Sequence, residues 1–439
     1  MPFIFNAYSA LLLPFFVQGL VVSVVLLTRG RQHGTPADSW LAVLLLLSTA
    51  RVAQWMLGFA GWYDAHNAFS TFMFYFPFNN WLTVGPVLYF YFRSLTNQDF
   101  RFRRADGWHF VPALLYLGWC LLLFLHDIVW QHLALGLLLP EHFGTKGTWL
   151  TWLDTVRVTT WAELLGYASV AGYALLTLRD YRAYRQYLNN NFSDTERIRF
   201  VWLRNVVVAV PIAVGMACGF AVVNAAIATL SYYQAWYDYL FTGILLYYLS
   251  IAGLLTHHRL TAPLHFQPDP TLPEIAGDTA PIPTPAQTPT VATSDMAQVP
   301  GALAHGTAVT LPPTESQPPV LAEATPELQR WTERLLLHMR AAQPYLAPEL
   351  TLAELAAQLR TNTSWLSKVI NTGCGQNFND FVNEYRVQEA EQRLQDARFR
   401  HYTLLAVALE SGFNSKSTFN RVFRKLRGLT PSEAAGRNL

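Results

Sequence analysis

Cysteine, lysine and charge are all scarce in this chain, and each shortage excludes something. Cys120, Cys218 and Cys374 are the only cysteines among 439 residues. No two form a CxxC or another metal-ligand spacing, which argues against a disulfide framework or a zinc cluster. Charged residues make up 14% of the chain, against about 25% in an average soluble protein. The only lysines are Lys146, Lys368, Lys416 and Lys425. None falls in an apolar run, so a retinal-type Schiff base within a membrane is excluded. Met1 is followed by "PFIFNAYSA", without the basic segment of a cleavable signal peptide, so the first apolar run is expected to stay as a span.

What is abundant is apolar sequence, at 52% of residues. Seven runs reach the roughly 20 residues a bilayer core requires. They lie at 8–28, 39–60, 69–92, 108–126, 153–178, 201–229 and 236–256. Basic residues are retained on the cytoplasmic side, and here they alternate. Arg29 and Arg31 occupy the first loop. Arg93, Arg101, Arg103 and Arg104 flank the third, and Arg179, Arg182, Arg185, Arg197 and Arg199 fill the fifth. The even loops hold only Lys146, with Arg157 just inside the next span. The pattern predicts a multi-pass membrane protein, with its N-terminus outside and everything after Arg259 in the cytoplasm.

Two charges fall well inside the spans, where an unpaired charge is costly. Arg51 lies about 18 Å into the second span and Glu163 about 15 Å into the fifth, at 1.5 Å per residue. The two spans enter from opposite faces, so the side chains could meet. They read either as a structural ion pair or as part of a polar signal-binding pocket with Gln54, Asn79, Asn80 and Asn224. The sixth span repeats alanine at 209, 213, 217, 221 and 225 and adds Gly215 and Gly219. Small residues at this spacing let helices approach closely, within the bundle or across a homodimer. No span carries a His/Glu metal box or a nucleophile–base pair, and His257–His258 reads as an interfacial pair. No catalytic residue, metal or cofactor is expected.

Residues 261–325 carry no lysine or arginine and 13 of the 25 prolines. Too few large apolar residues occur there to bury a core, so a disordered, Pro-rich linker is expected. Such a chain spans on the order of 45 Å end to end and would tether a module without orienting it.

Amphipathic soluble helices return from residue 326. In "TNTSWLSKVINT" the residues Leu366, Val369 and Ile370 share one face, while Thr363, Ser364, Ser367, Lys368 and Asn371 share the other. The stretch "SGFNSKSTFNRVFRKL" repeats the design. Phe419, Val422, Phe423 and Leu426 form its apolar stripe; Lys416, Ser417, Asn420, Arg421 and Arg424 form its polar one. Ser415 is placed to cap this helix. Each copy follows a short helix and a tight turn, with Ala356 and Ala408 at the crossing points. This is a duplicated helix-turn-helix, whose second helices enter the major groove of double-stranded DNA. Lys416, Asn420 and Arg421 have the chemistry to read base edges. Arg424, Lys425 and Arg427, further along, are placed for phosphates.

The motifs "LTLAELAAQL", "SWLSKVIN", "GQNFNDFVNEYRVQEAEQRL" and "YTLLAVALESGFNSKSTFNRVFRKLRGLTPSE" resemble the DNA-binding domain of the AraC/XylS family of bacterial transcription regulators over roughly 345–436. The resemblance implies two helix-turn-helix units joined by a long helix. Two departures stand out: the first turn, "LRTN", has no glycine, and "AAGR" follows "TPSE" where the family carries an aromatic residue and arginine. The whole arrangement is similar to membrane-anchored members of the family.

The expected architecture is therefore all-α: a seven-helix transmembrane sensor (1–260), a linker (261–325) and a DNA-binding domain (326–439). The expected partners are DNA, membrane lipid, an unidentified signal ligand and a second copy of the chain. Two other readings compete with a regulator: a membrane enzyme or transporter with a regulatory C-terminal module, and an architectural DNA tether.

Overall fold

The computed structural model describes residues 4–62, 70, 73, 75–78, 80–137, 158–195, 198, 201–223, 231–255, 264, 266 and 326–436. Every named element in them is helical. Asn79, Asn224, Lys146, Arg157, Arg197, Arg199 and nearly all of the expected linker lie outside the described residues.

The N-terminal part begins with α1 (Ala7–His33), capped by Asn6, whose side chain accepts from Ser9 N–H. A left-handed Gly34 ends it and allows an immediate return into α2 (Pro36–Phe59). After α3 (Trp81–Thr96) comes a 3-10 turn (Arg104–Phe110), α4 (Val111–Phe124) and a π-helical continuation (Leu125–Ala134). The long α5 (Val158–Asn191) is followed by α6 (Val201–Val222) and α7 (Tyr232–Leu255). Helix α1 packs on α2 and α7, α3 on α2 and α5, and α6 on α5 and α7. Glycines mark the closest crossings: a Cβ at Gly243 would lie 2.6 Å from the Phe15 ring, and one at Gly166 would lie 2.5 Å from Trp81 Cβ.

Five helices among the described residues are long and apolar enough to cross a membrane: Ala7–His33, Pro36–Phe59, Arg104–Ala134, Leu203–Val222 and Tyr232–Leu255. Their outward faces carry Leu20, Val21, Val24, Leu114, Leu115 and Ile212, all exposed. The expected spans 69–92 and 153–178 are not among the five. The described part of the first, α3, has 16 residues. The second is α5, whose 34 residues extend about 50 Å, further than a hydrocarbon core of about 30 Å.

The bundle also packs beyond residue 260. Leu264 and Phe266 are buried, and the Phe266 ring lies 5.3 Å from Tyr184 and 5.7 Å from Tyr187. These contacts fix the end of α5 against the bundle.

The C-terminal part contains α8 (Pro326–Ala342), α9 (Leu352–Gln358), α10 (Thr363–Lys368), α11 (Phe378–Gln395), α12 (Leu404–Glu410), α13 (Lys416–Arg427) and α14 (Pro431–Gly436). It has two cores. One gathers Leu335, Met339, Leu355, Leu366, Val369, Ile370, Phe381 and Val382; the other gathers Val387, Ala390, Val407, Ala408, Phe413, Phe419, Val422 and Phe423. Helix α11 supplies both, its first half to one and its second half to the other.

Candidate nucleic-acid interface and intramembrane polar site

Each helix-turn-helix unit is built by local chemistry. Thr351 caps α9 in a reciprocal box with Glu354, and Asn362 caps α10 by accepting from Trp365 N–H. Thr403 caps α12, and Ser415 caps α13 by accepting from Thr418 N–H. The first helix of each unit ends alike. Thr361 N–H reaches Ala356 O at 2.9 Å, and Phe413 N–H reaches Ala408 O at 3.0 Å. That closure requires a left-handed residue between: Arg360 (φ +54°) in the first unit and Gly412 (φ +86°) in the second. The turn then runs four residues (359–362) in the first unit and five (411–415) in the second. Asn414 is the extra one.

The two apolar stripes are buried as expected: Leu366, Val369 and Ile370 in one, Phe419, Val422 and Phe423 in the other. Thr363, Ser364, Lys368, Lys416, Ser417, Arg421 and Arg424 are exposed, with Ser367 and Asn420 half-exposed. The polar face of each second helix is thus presented outward. The three residues expected to reach phosphates divide. Arg424 is exposed, whereas Lys425 Nζ lies 2.6 Å from Asp380. Arg427 bonds Glu391 at 2.8 Å and Glu384 at 3.0 Å. These two bonds tie α13 to α11.

Sequence reading missed Arg386. It occupies the stripe Phe378–Val382–Arg386–Ala390, all buried, and a charge in such a four-residue repeat is the signal that could have found it. Its Nε donates to Tyr345 O at 2.8 Å, and its terminal nitrogens donate to Ala347 O and Ser193 Oγ. Burial pushes its guanidinium down to about 10, with Asp194 opposing the shift, so it remains a cation at neutral pH.

Ser193 belongs to the segment that leaves α5, which is also docked on other parts of the C-terminal domain. Phe192 pairs with Thr351 in a β-bridge, and Ser193 N–H donates to Leu350 O at 3.2 Å. Asn379 donates to Phe192 O and Ser193 O, and Asn414 donates to Asp194 Oδ2 at 2.8 Å. The expectation of an unoriented module is not what the structure shows: the domain sits on the end of α5.

Within the bundle, Arg51 pairs with Asp238, not Glu163, and donates to Thr242 Oγ1 at 2.9 Å. Its guanidinium lies 4.7 Å over Trp81 and 4.4 Å over Tyr239. Glu163 is half-buried on α5. The sequence places Asp238 at the rim of the last span, where a carboxylate is cheap, but α7 begins at Tyr232 and carries it nearly two turns inward. A cavity of about 50 Å³ adjoins Arg51, lined by Leu47, Asn80, Trp81, Val210, Thr242 and Leu249 among others. Asn80 Oδ1 and Asp238 Oδ1 are buried acceptors without a partner among the described residues. In α6, Ala213 and Ala217 pack inward, while Gly215 and Gly219 face open space.

Residues 355–437 match a helix-turn-helix domain family. Relatives include uncharacterized HTH-type transcriptional regulators of Staphylococcus aureus strains COL, MSSA476 and N315. Each is 31% identical over 88 residues, covering 20% of this chain and 11% of the relative. The chain therefore spans about a tenth of the curated relatives it matches. No solved structure gives a significant match.

Proposed function

Because its C-terminal domain is an AraC-type helix-turn-helix domain and its N-terminal part holds helices long and apolar enough to cross a membrane, we propose that this chain is a membrane-embedded transcription regulator. The N-terminal part forms a seven-span bundle with its N-terminus outside, α3 and α5 completing the count. The C-terminal domain binds promoter DNA from the cytoplasmic side. The observation that carries the reading is the pair of capped helices, α10 and α13, each with its apolar stripe buried and its polar face outward. Thr363, Ser364, Ser367 and Lys368 read one major groove; Lys416, Ser417, Asn420 and Arg421 read the next. Arg424 and Lys425 contact phosphate, Lys425 by exchanging Asp380 for the DNA.

The cavity beside Arg51 is where the bundle receives its signal. The unpartnered amide oxygen of Asn80 in a largely apolar wall favours a small molecule that donates a hydrogen bond. Binding there alters bundle packing or pairing of two copies, which changes the effective concentration of DNA-binding domains on paired sites. Promoter output from a reporter, followed with Arg51→Ala protein present in the membrane at wild-type level, tests this. Loss of signal response is expected, and an unaltered response would refute the assignment.

A further inference from the structure

The strongest unassigned feature is the seat that the C-terminal domain offers to residues 192–194. Three separate parts of the domain close on these three residues. Leu350 and Thr351 begin the first unit, Asn379, Asn383 and Arg386 line α11, and Asn414 precedes the cap of α13. On the other side the segment is fixed to the bundle. Phe192 is buried, with its ring 6.1 Å from Tyr187, and Tyr184 donates to Ile198 O at 2.7 Å. The segment is held from both sides.

The places it occupies matter for DNA. In a helix-turn-helix the first helix crosses the phosphate backbone and the second enters the groove by its N-terminus. Helix N-termini attract anions through their free N–H groups and dipole. The segment lies across the start of the first unit's leading helix, and it puts the Asp194 carboxylate on Asn414, one residue before the cap of the second recognition helix. Asn414 is the residue by which the second turn exceeds the first. A carboxylate fixed there repels an incoming phosphate, because like charges a few ångströms apart cannot share one donor cheaply.

We propose that Phe192–Ser193–Asp194 is an internal competitor of DNA: seated on Asn379, Asn383, Arg386 and Asn414, it holds the domain in a resting state, and its departure exposes the surface that meets phosphate. The proposal rests on the DNA-binding reading of α10 and α13. It also gives the bundle an output. Helix α5 carries the segment at its end, and at Gly166 it packs on Trp81, whose ring lies beside Arg51. One helix thus packs on Trp81, which lines the intramembrane cavity, and carries the clamp at its end, so a shift of α5 at one end displaces the segment at the other.

The test uses full-length protein in lipid nanodiscs and a DNA duplex selected by the same protein. Replacing Ser193 and Asp194 together by alanine weakens the seat and is expected to tighten DNA binding about tenfold. In a background with Cys120, Cys218 and Cys374 replaced by alanine, Asp194→Cys and Asn414→Cys joined by a short cleavable cross-linker should lower affinity at least tenfold, and cleavage should restore it. An unchanged Kd for S193A/D194A, or equal binding before and after bridging, overturns the clamp while leaving DNA binding intact. Failure of every form, bridged or not, to bind any duplex overturns the DNA-binding reading and the clamp with it.

Discussion

The two helix-turn-helix units solve one turn in two ways. Both close the first helix with the same backbone hydrogen bond and both pass through a left-handed residue, yet one uses Arg360 and the other Gly412. The neighbours explain the difference. A Cβ on Gly412 would lie 2.3 Å from Tyr345 O and 3.1 Å from Arg386 Nε. The second turn is pressed against Tyr345 O, a carbonyl that Arg386 binds. The first turn is not so confined, and Arg360 is exposed. Glycine here answers a close approach more than a dihedral angle.

Substitutions at the two turns should have unequal costs. Arg386→Ala strips donors from Tyr345 O, beside Gly412, and from Ala347 O, and should cost about 3–5 kcal/mol, because each buried carbonyl left without a donor costs about 1–3 kcal/mol. Urea denaturation of residues 326–439 would read it, since both cores lie within that segment. Gly412→Ala comes next, at about 2–4 kcal/mol for the left-handed backbone and the clash combined. Arg360→Gly in the other turn should stay within about 1 kcal/mol of wild type. Equal costs at Arg360 and Gly412 would show that the neighbours do not matter.

The arginines of α13 should differ among themselves on DNA. Arg421→Ala removes a side chain proposed to read bases and is expected to cost about 1–3 kcal/mol at one position of the site, relaxing sequence preference there. Arg424→Ala should weaken all duplexes alike and reduce the salt slope by about one. Arg427→Ala is predicted to have the smallest effect. Its half-exposed ties to Glu384 and Glu391 should be worth about 1 kcal/mol of stability or less, with the salt slope unchanged. A competition series in two salt concentrations would separate these three.

Legibility in the sequence followed how local each feature was. The recognition helices were readable because their stripes repeat within a dozen residues and the caps stand beside them. Ser415 and the buried trio Phe419, Val422 and Phe423 need no distant partner to be recognised. Arg51 was visible as a charge in an apolar run, but its partner was not. Asp238 is 187 residues away, and its depth depends on where α7 begins. The docked segment was hidden for a related reason. "NFSD" looks like any polar exit from a helix, and its partners Asn379, Arg386 and Asn414 lie about 190–220 residues on. The ties of Arg427 were hidden because a basic residue at the end of such a helix suits phosphate and carboxylate equally, and only the position of α11 brings Glu384 and Glu391 to it.

Footprinting of the full-length chain in nanodiscs across a range of salt decides whether a membrane protein here reads DNA with two successive helices. Sequence-specific protection over roughly 20 bp, two successive major grooves, is expected, with affinity falling steeply as salt rises. Protection of a single groove, or binding that neither prefers a sequence nor responds to salt, would contradict this reading.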